Sequence, residues 1–166
     1  MRIFFFLFLL FSTFTFAQDN PKLVQRDPFL QNPVKNQPQK SNLENKIHIK
    51  NADEIKKDTK YDGNRYFIGN VVIENQGSIL YADLVILYEE ENFVKAIGNT
   101  KLQNTDGSVI TASEMEYDGN TQKGVARKNV VLNDPKGTVI KTETMYYDRV
   151  SNLAYYNTGG TINDGK

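Results

Sequence analysis

Three segments repeat one pattern: Phe67-Ile-Gly-Asn-Val-Val-Ile73, Ala96-Ile-Gly-Asn-Thr-Lys-Leu102 and Ala126-Arg-Lys-Asn-Val-Val-Leu132. Their asparagines, Asn70, Asn99 and Asn129, stand 29 and 30 positions apart. The stretches between them echo as well, as Leu80-Tyr-Ala-Asp83, Ile110-Thr-Ala-Ser113 and Ile140-Lys-Thr-Glu143, and Asn51-Ala-Asp53 lies one period earlier. A period of this length marks an architecture in which no unit buries its apolar face alone.

Turn chemistry cuts each period in two. Asp62-Gly63-Asn64, Asn75-Gln76-Gly77, Glu89 to Asn92, Asp106-Gly107, Asp118-Gly119-Asn120, Asp134 to Gly137 and Arg149 to Asn152 fall about every 15 residues. Asp-Gly and Gly-Asn pairs tolerate the positive φ of tight hairpins. Helical apolar spacing is absent beyond the first residues. An antiparallel stack and a parallel β-helix both fit a periodic β chain. Hairpin turns at both ends of each repeat favour the antiparallel form.

Alternation assigns the faces, because side chains two apart share one. In the first strand of each repeat the inward parity carries Phe67, Ala96 and Ala126, then Val71, Thr100 and Val130, then Ile73, Leu102 and Leu132. Asn70, Asn99 and Asn129 take the opposite, solvent parity. In the second strand Leu80, Ile110 and Ile140 point inward with Ala82, Ala112 and Thr142, yet Met115, Tyr117, Met145 and Tyr147 have the other parity. One extra residue near Asp83, Ser113 and Glu143 restores the phase, which predicts a β-bulge and a bend at the same place in every unit. Tyr88, Tyr117 and Tyr147 recur near the ends of the second strands, as a cross-strand ladder or as amphipathic tips at the mouth of a groove.

The ends of the chain read differently. Met1-Arg2, the apolar run Ile3 to Phe11 and the small residues Thr15 and Ala17 form a secretory signal peptide over residues 1–17, cleaved after Ala17. That run is shorter than the roughly 18 apolar residues of a spanning helix. The signal peptide holds seven of the ten phenylalanines, so the exported chain is far more polar than the whole. Residues 18–46 are rich in Gln, Asn and Lys and contain Pro21, Pro28, Pro33 and Pro38, and are expected to be a disordered linker. Residues 47–166 form the repeat domain. Asn157 to Asp164 aligns with Arg127 to Asp134, so the repeats stop after a first strand, and the chain reads as possessing an open edge or as a fragment of a longer protein.

Chemistry is sparse. With 20 basic and 20 acidic residues the chain has no electrostatic footprint for nucleic acid. It has no cysteine, hence no disulfide and no thiol nucleophile. The single histidine, His48, decorates an opening strand, and no nucleophile elbow, phosphate loop or zinc spacing occurs. No catalytic residue, metal site or cofactor is expected, and the protein is read as a non-enzyme.

The run of matches Gly69-Asn70-Val71, Ala82-Asp83, Tyr88, Gly98-Asn99, Asp106-Gly107, Tyr117-Asp118, Asn129-Val130, Gly137-Thr138 and Tyr147-Asp148 resembles the OstA-like (LptA-type, organic solvent tolerance) domain of the Gram-negative lipopolysaccharide export system. Lys128 departs from the pattern where glycine is expected, and Gly159-Gly160 stands where Asn-Val is expected. The resemblance implies an all-β, antiparallel, twisted β-jellyroll of two facing sheets that open into a groove. It implies a periplasmic, outer-membrane-assembly role as a lipid-binding transport component, with lipopolysaccharide and other lipopolysaccharide-transport proteins as partners. The inward set Phe67, Val71, Ile73, Leu80, Leu102, Ile110, Met115, Leu132, Ile140 and Met145 would line the groove, or would only close the core. The unfinished last repeat suggests head-to-tail pairing of copies through the terminal strand. Beside this reading stand a structural or adhesive β-repeat module without a lipid site and, disfavoured by the missing acid/base pair, a β-helical polysaccharide enzyme.

Overall fold

The computed structural model describes residues 27–31, 45–57 and 64–165. The signal peptide, most of the linker and the first predicted turn at Asp62-Gly63 lie outside the described residues. Ten strands follow a short helix, α1 (Pro28–Gln31): β1 (His48–Asn51), β2 (Glu54–Lys57), β3 (Asn64–Asn75), β4 (Ser78–Tyr88), β5 (Phe93–Gln103), β6 (Val109–Asp118), β7 (Lys123–Asn133), β8 (Val139–Asp148), β9 (Leu153–Tyr155) and β10 (Gly160–Asn163). Every pairing is antiparallel. The hairpin chemistry of the turns thus decides against a β-helix, as the sequence predicts.

The six long strands, β3 to β8, form one meander rather than two separate sheets. Each crosses a corner and contributes to both halves of a folded sheet. The first leaf holds the halves with Phe67, Val85, Ala96, Met115, Ala126 and Met145. The second holds those with Val71, Leu80, Leu102, Ile110, Leu132 and Ile140. At one end β2 pairs with the first-leaf half of β3 and β1 with its second-leaf half. At the other, β9 and β10 divide β8 in the same way. The result is an open, all-β jellyroll whose leaves share one core of Phe67, Val71, Ile73, Val85, Ala96, Ile110, Met115, Val130 and Met145.

The corner is a bulge of two residues against one. Ile68 pairs with Leu84 and Val71 with Ala82, so Gly69 and Asn70 face Asp83 alone; Gly98-Asn99 face Ser113 and Lys128-Asn129 face Glu143 in the same manner. The predicted bend is where the phase slip put it, and Ala82 with Val85, Ala112 with Met115 and Thr142 with Met145 are all buried across the slip. The reading of the asparagines as plain outward strand residues is corrected. Asn70, Asn99 and Asn129 have φ of 45°, 43° and 55°, each behind a residue with positive φ: Gly69 at 73°, Gly98 at 78° and Lys128 at 66°. Asparagine tolerates this region because its short amide bonds locally. Asn99 Nδ2 donates to Asp83 Oδ2 at 2.8 Å, and Asn70 Nδ2 to Asp53 Oδ2 at 2.8 Å. Glycine precedes it for space as well as φ. A Cβ on Gly98 would lie 2.5 Å from Asp83 Oδ2.

A second correction concerns the linker. Residues 27–31 are not a free segment but dock on the outer face of the first leaf. Leu30 is fully buried against Phe93 and Val125. Phe29 meets Tyr146 and Tyr155 edge-on, at 5.3 and 5.5 Å between ring centres, under the Lys123 ammonium. Asp27 pairs with Arg127 at 2.6 Å, and Arg127 reaches the buried carboxylate of Glu116 at 3.3 Å. Composition could not foretell this, since two apolar residues suffice once the sheet supplies a hollow for them.

Two stability predictions follow from these contacts. Gly98→Ala should lower unfolding free energy by about 1–3 kcal/mol through strain and the clash with Asp83. Lys128→Gly should raise it by up to about 1 kcal/mol, because the exposed Lys128–Glu114 pair contributes little. Urea titrations of both variants check the opposite signs. Leu30→Ala should release α1 while the sheet persists: amide hydrogen exchange would rise at residues 28–31 and remain slow in β5 to β7. Global unfolding at the same denaturant concentration as exchange from α1 would contradict a docked, separable segment.

Candidate functional site

Alternation drives apolar side chains from both leaves into the space between them, and a cavity of about 60 Å³ remains there. Its body is lined by Ile47, Ile73, Leu80, Val94, Leu102, Ile110, Met115, Ala126 and Met145. One end is polar, with Asn75, Ser78, Asn104, Tyr117, Tyr147 and Arg149. The hollow is therefore apolar almost throughout, with polar groups only at its lips.

Six of the ten expected lining residues meet at this cavity: Ile73, Leu80, Leu102, Ile110, Met115 and Met145. The other four do not. Phe67 borders a separate hollow with Ile47, Ile49 and Leu87 near the β1 end. Val71 is packed solid in the core at 1% exposure, while Leu132 and Ile140 pack on the core's margin near the β8 end. Parity alone cannot separate a residue that closes the core from one that borders a void. The equivalence of Ile73, Leu102 and Leu132 expected from the repeat thus breaks along the sheet, since the first two border the cavity and Leu132 does not, as burial weakens toward the last strands, where Leu153 and Ile162 are exposed.

The polar end is built by long-range contacts the repeat does not encode. Arg149, in the turn after β8, reaches across to the β3–β4 turn on the second leaf. Its Nη1 donates to Asn75 O and Asn75 Oδ1, both at 3.1 Å, and its Nη2 to Gln76 O at 2.7 Å. The Tyr117 hydroxyl donates to the same Asn75 Oδ1 at 2.9 Å. The Asn75 amide in turn donates to the backbone carbonyls of Asn45 and Lys46 at 3.0 and 3.1 Å. Asn92, on the opposite lip, also donates to Asn45 O at 3.0 Å and accepts from Ile47 N–H at 3.1 Å. The segment before β1 is thereby held between the lips, with Ile47 inserted into the cavity wall.

Burial governs the chemistry of the tyrosines. Loss of hydration pushes the Tyr117 phenol up to about 12, against a smaller opposing pull from Arg149. The Tyr147 phenol is raised by the same cause. Both stay neutral hydrogen-bonding groups at any ordinary pH. Tyr88 does not belong with them. Leu87 holds the position equivalent to Tyr117 and Tyr147, while Tyr88 lies on the outer face, 5.3 Å from Phe93 between ring centres. The expected three-tyrosine series is a pair, because the echo at Tyr88 is one residue out of phase. Arg149, Asn75 and Ile47 were missed by sequence reasoning. The only signal was Arg149 standing where the preceding repeat has Gly119, and a turn arginine reads as solvated.

A comparison with curated protein sequences finds no match. Among solved structures, the crystal structure of LptH, the LptA homologous periplasmic component of the conserved lipopolysaccharide transport device from Pseudomonas aeruginosa, is similar with a TM-score of 0.58. The two are 17% identical, over 70% of this chain and 92% of that one, so the likeness is one of fold. Residues 44–166 match the family described as OstA-like protein, a span that contains every long strand, both leaves and the cavity between them. The chain belongs to the OstA-like protein family.

Proposed function

We propose that this protein is a non-enzymatic, exported component of lipopolysaccharide transport in outer-membrane assembly, which shields acyl chains between its two leaves. The observation that carries the reading is the apolar cavity lined from both leaves, in a chain of the OstA-like family and with a fold like that of LptH. On this reading residues 1–17 are a cleaved signal peptide, residues 18–46 link it to the domain, and the site of action is the periplasm.

The energetics support such a role. Each exposed methylene costs about 0.8 kcal/mol, so a chain of about a dozen carbons carries an aqueous penalty on the order of 10 kcal/mol. The cavity is the seed of a site rather than a finished one. Its 60 Å³ falls well short of the roughly 300–1,000 Å³ to which small-molecule sites run. Acyl binding therefore requires the leaves to part, with Ile73, Leu80, Leu102 and Ile110 of the second leaf moving from Met115 and Met145 of the first. An open sheet permits this, since no strand pair joins β1 and β2 to β9 and β10 among the described residues.

The same open ends support pairing with other chains. Ile55 on β2, Leu153 on β9 and Ile162 on β10 are all more than 60% exposed on terminal strands, where free backbone groups template further strands. End-to-end stacking of copies, or docking with another transport protein, would continue the cavity from one molecule to the next.

A photo-crosslinking residue at Leu102 should capture lipopolysaccharide, and one at the neighbouring Lys101, whose side chain lies on the outer face over Tyr81, should not. Equal capture at both positions would remove the directional cavity. Absence of capture at both, with the fold intact by circular dichroism, would favour an adhesive β-repeat module.

A further inference from the structure

We infer that the segment before β1 is a tethered gate: Ile47 closes the passage between the central cavity and the hollow at the β1 end, and the passage opens when β1 peels from β3. This inference rests on the acyl-binding reading above and adds to it the route by which the interior is reached.

Ile47 is 5% exposed and, among the described residues, is the only one that lines both spaces. On one side lies the apolar cavity of about 60 Å³. On the other lies the hollow of about 400 Å³ bordered by Ile49, Phe67 and Leu87. Phe67 and Leu87 belong to the first leaf, and Ile49 pairs with Ile73 of the second, so this hollow is the end of the same interleaf space. Withdrawal of one side chain joins the closed cavity to a space already within the roughly 300–1,000 Å³ of small-molecule sites.

What holds Ile47 in place is weak in kind. It is carried by an edge strand, with β3 on one side of β1 and no strand on the other among the described residues. The ladder runs through His48, Ile49 and Asn51 alone, with a shift of register between the last two. Lys50 reaches Glu74 at 3.5 Å, but their side chains are 56% and 27% exposed, and water screens such a pair. The other ties are neutral: Asn75 donates to the carbonyls of Asn45 and Lys46, and Asn92 grips Asn45 O and Ile47 N–H. Strands β3 to β8, by contrast, are each paired on both sides. Local opening begins where the fewest contacts are lost, which here is β1. Peeling it breaks none of the Arg149 contacts, so the clasp on Asn75 and Gln76 stays shut while the passage opens. Beyond β1 the chain is pinned again, where Asp53 N–H donates to the carbonyls of Ile68 and Gly69 at 3.1 and 3.0 Å. That pin keeps the gate beside its seat, ready to reseal an empty interior.

A reversible lock tests the gate. The chain has no cysteine, so the directly opposed pair His48→Cys/Glu74→Cys forms a unique disulfide that fastens β1 to β3. Uptake of N-phenyl-1-naphthylamine, an uncharged apolar dye that brightens on leaving water, is followed in the full chain by stopped-flow fluorescence. The oxidised variant should take up the dye at least 10-fold more slowly than the same variant reduced, which controls for the lost Glu74 contacts. Ile47→Ala, which clears the passage and keeps the amide ties, should accelerate uptake at least 3-fold over the unaltered protein. Equal rates in the oxidised and reduced forms would overturn the gate and leave acyl binding standing, since the dye then enters elsewhere. Uptake by no form, with every fold intact by circular dichroism, would sink the acyl reading and the gate with it. Should the disulfide not form, the Ile47→Ala comparison decides, and a rate equal to that of the unaltered protein overturns the gate.

Discussion

One backbone constraint organises this molecule: at the centre of each first strand two consecutive residues adopt positive φ. A β-sheet without it would continue as a flat ribbon with one buried face and no partner to bury it against. The pair at Gly69-Asn70, Gly98-Asn99 and Lys128-Asn129 turns every long strand through the same corner, so one meander supplies both layers of its own core. The inward parity is then continuous for the first strands and slipped by one for the second, which places Ala82 and Val85, or Ala112 and Met115, in the same interior. The corner acid Asp83, and Asp53 one unit earlier, anchor the asparagine amides that make the conformation tolerable. The fold is thus a local conformational preference multiplied by the repeat.

That origin explains which features were legible in the residues and which were not. Period, turn sites, antiparallel pairing and the position of the bend follow from local chemistry, and each is visible in a window of about thirty residues. The assignment of the distortion to the Gly-Asn pair was missed because Asn70 has the right parity for a solvent-facing strand residue, and parity carries no information about φ. The docking of Phe29 and Leu30 depends on a hollow made by Phe93, Val125, Tyr146 and Tyr155, residues far apart in sequence. Nor could alternation show that Val71 is sealed while Leu102 borders a void, since both share the inward face. The clasp of Arg149 on Asn75 and Gln76 joins the ends of strands five units of meander apart. It is a product of the twist of the folded sheet.

The closed state of the cavity has a physical logic on the proposed reading. A trough held permanently open would expose the side chains of both leaves to water at about 25 cal/mol per Å². Letting the leaves meet removes that cost, and Ile47 from the segment before β1 helps to fill the space. The residual 60 Å³ is what imperfect packing of Leu102, Ile110 and Met115 leaves behind. An acyl chain then competes with the protein's own side chains rather than with water. Its gain is the removal of its own hydration, while the apolar surface of the leaves merely exchanges one apolar neighbour for another.

The opposing side of that competition is set at the polar end. Hydrogen bonds to charged groups contribute roughly 1.5–3 kcal/mol each, and neutral ones about 1. Three from Arg149 and one from Tyr117 tie the lips together through Asn75 and Gln76, a total somewhat below the order of 10 kcal/mol that a dozen buried methylenes release. A carrier needs this near balance. A much weaker clasp would leave the apolar interior open to unspecific partners, and a much stronger one would exclude the chain. The balance also places the control of loading at the lips rather than in the apolar body, because every acyl chain of a given length gains the same from burial.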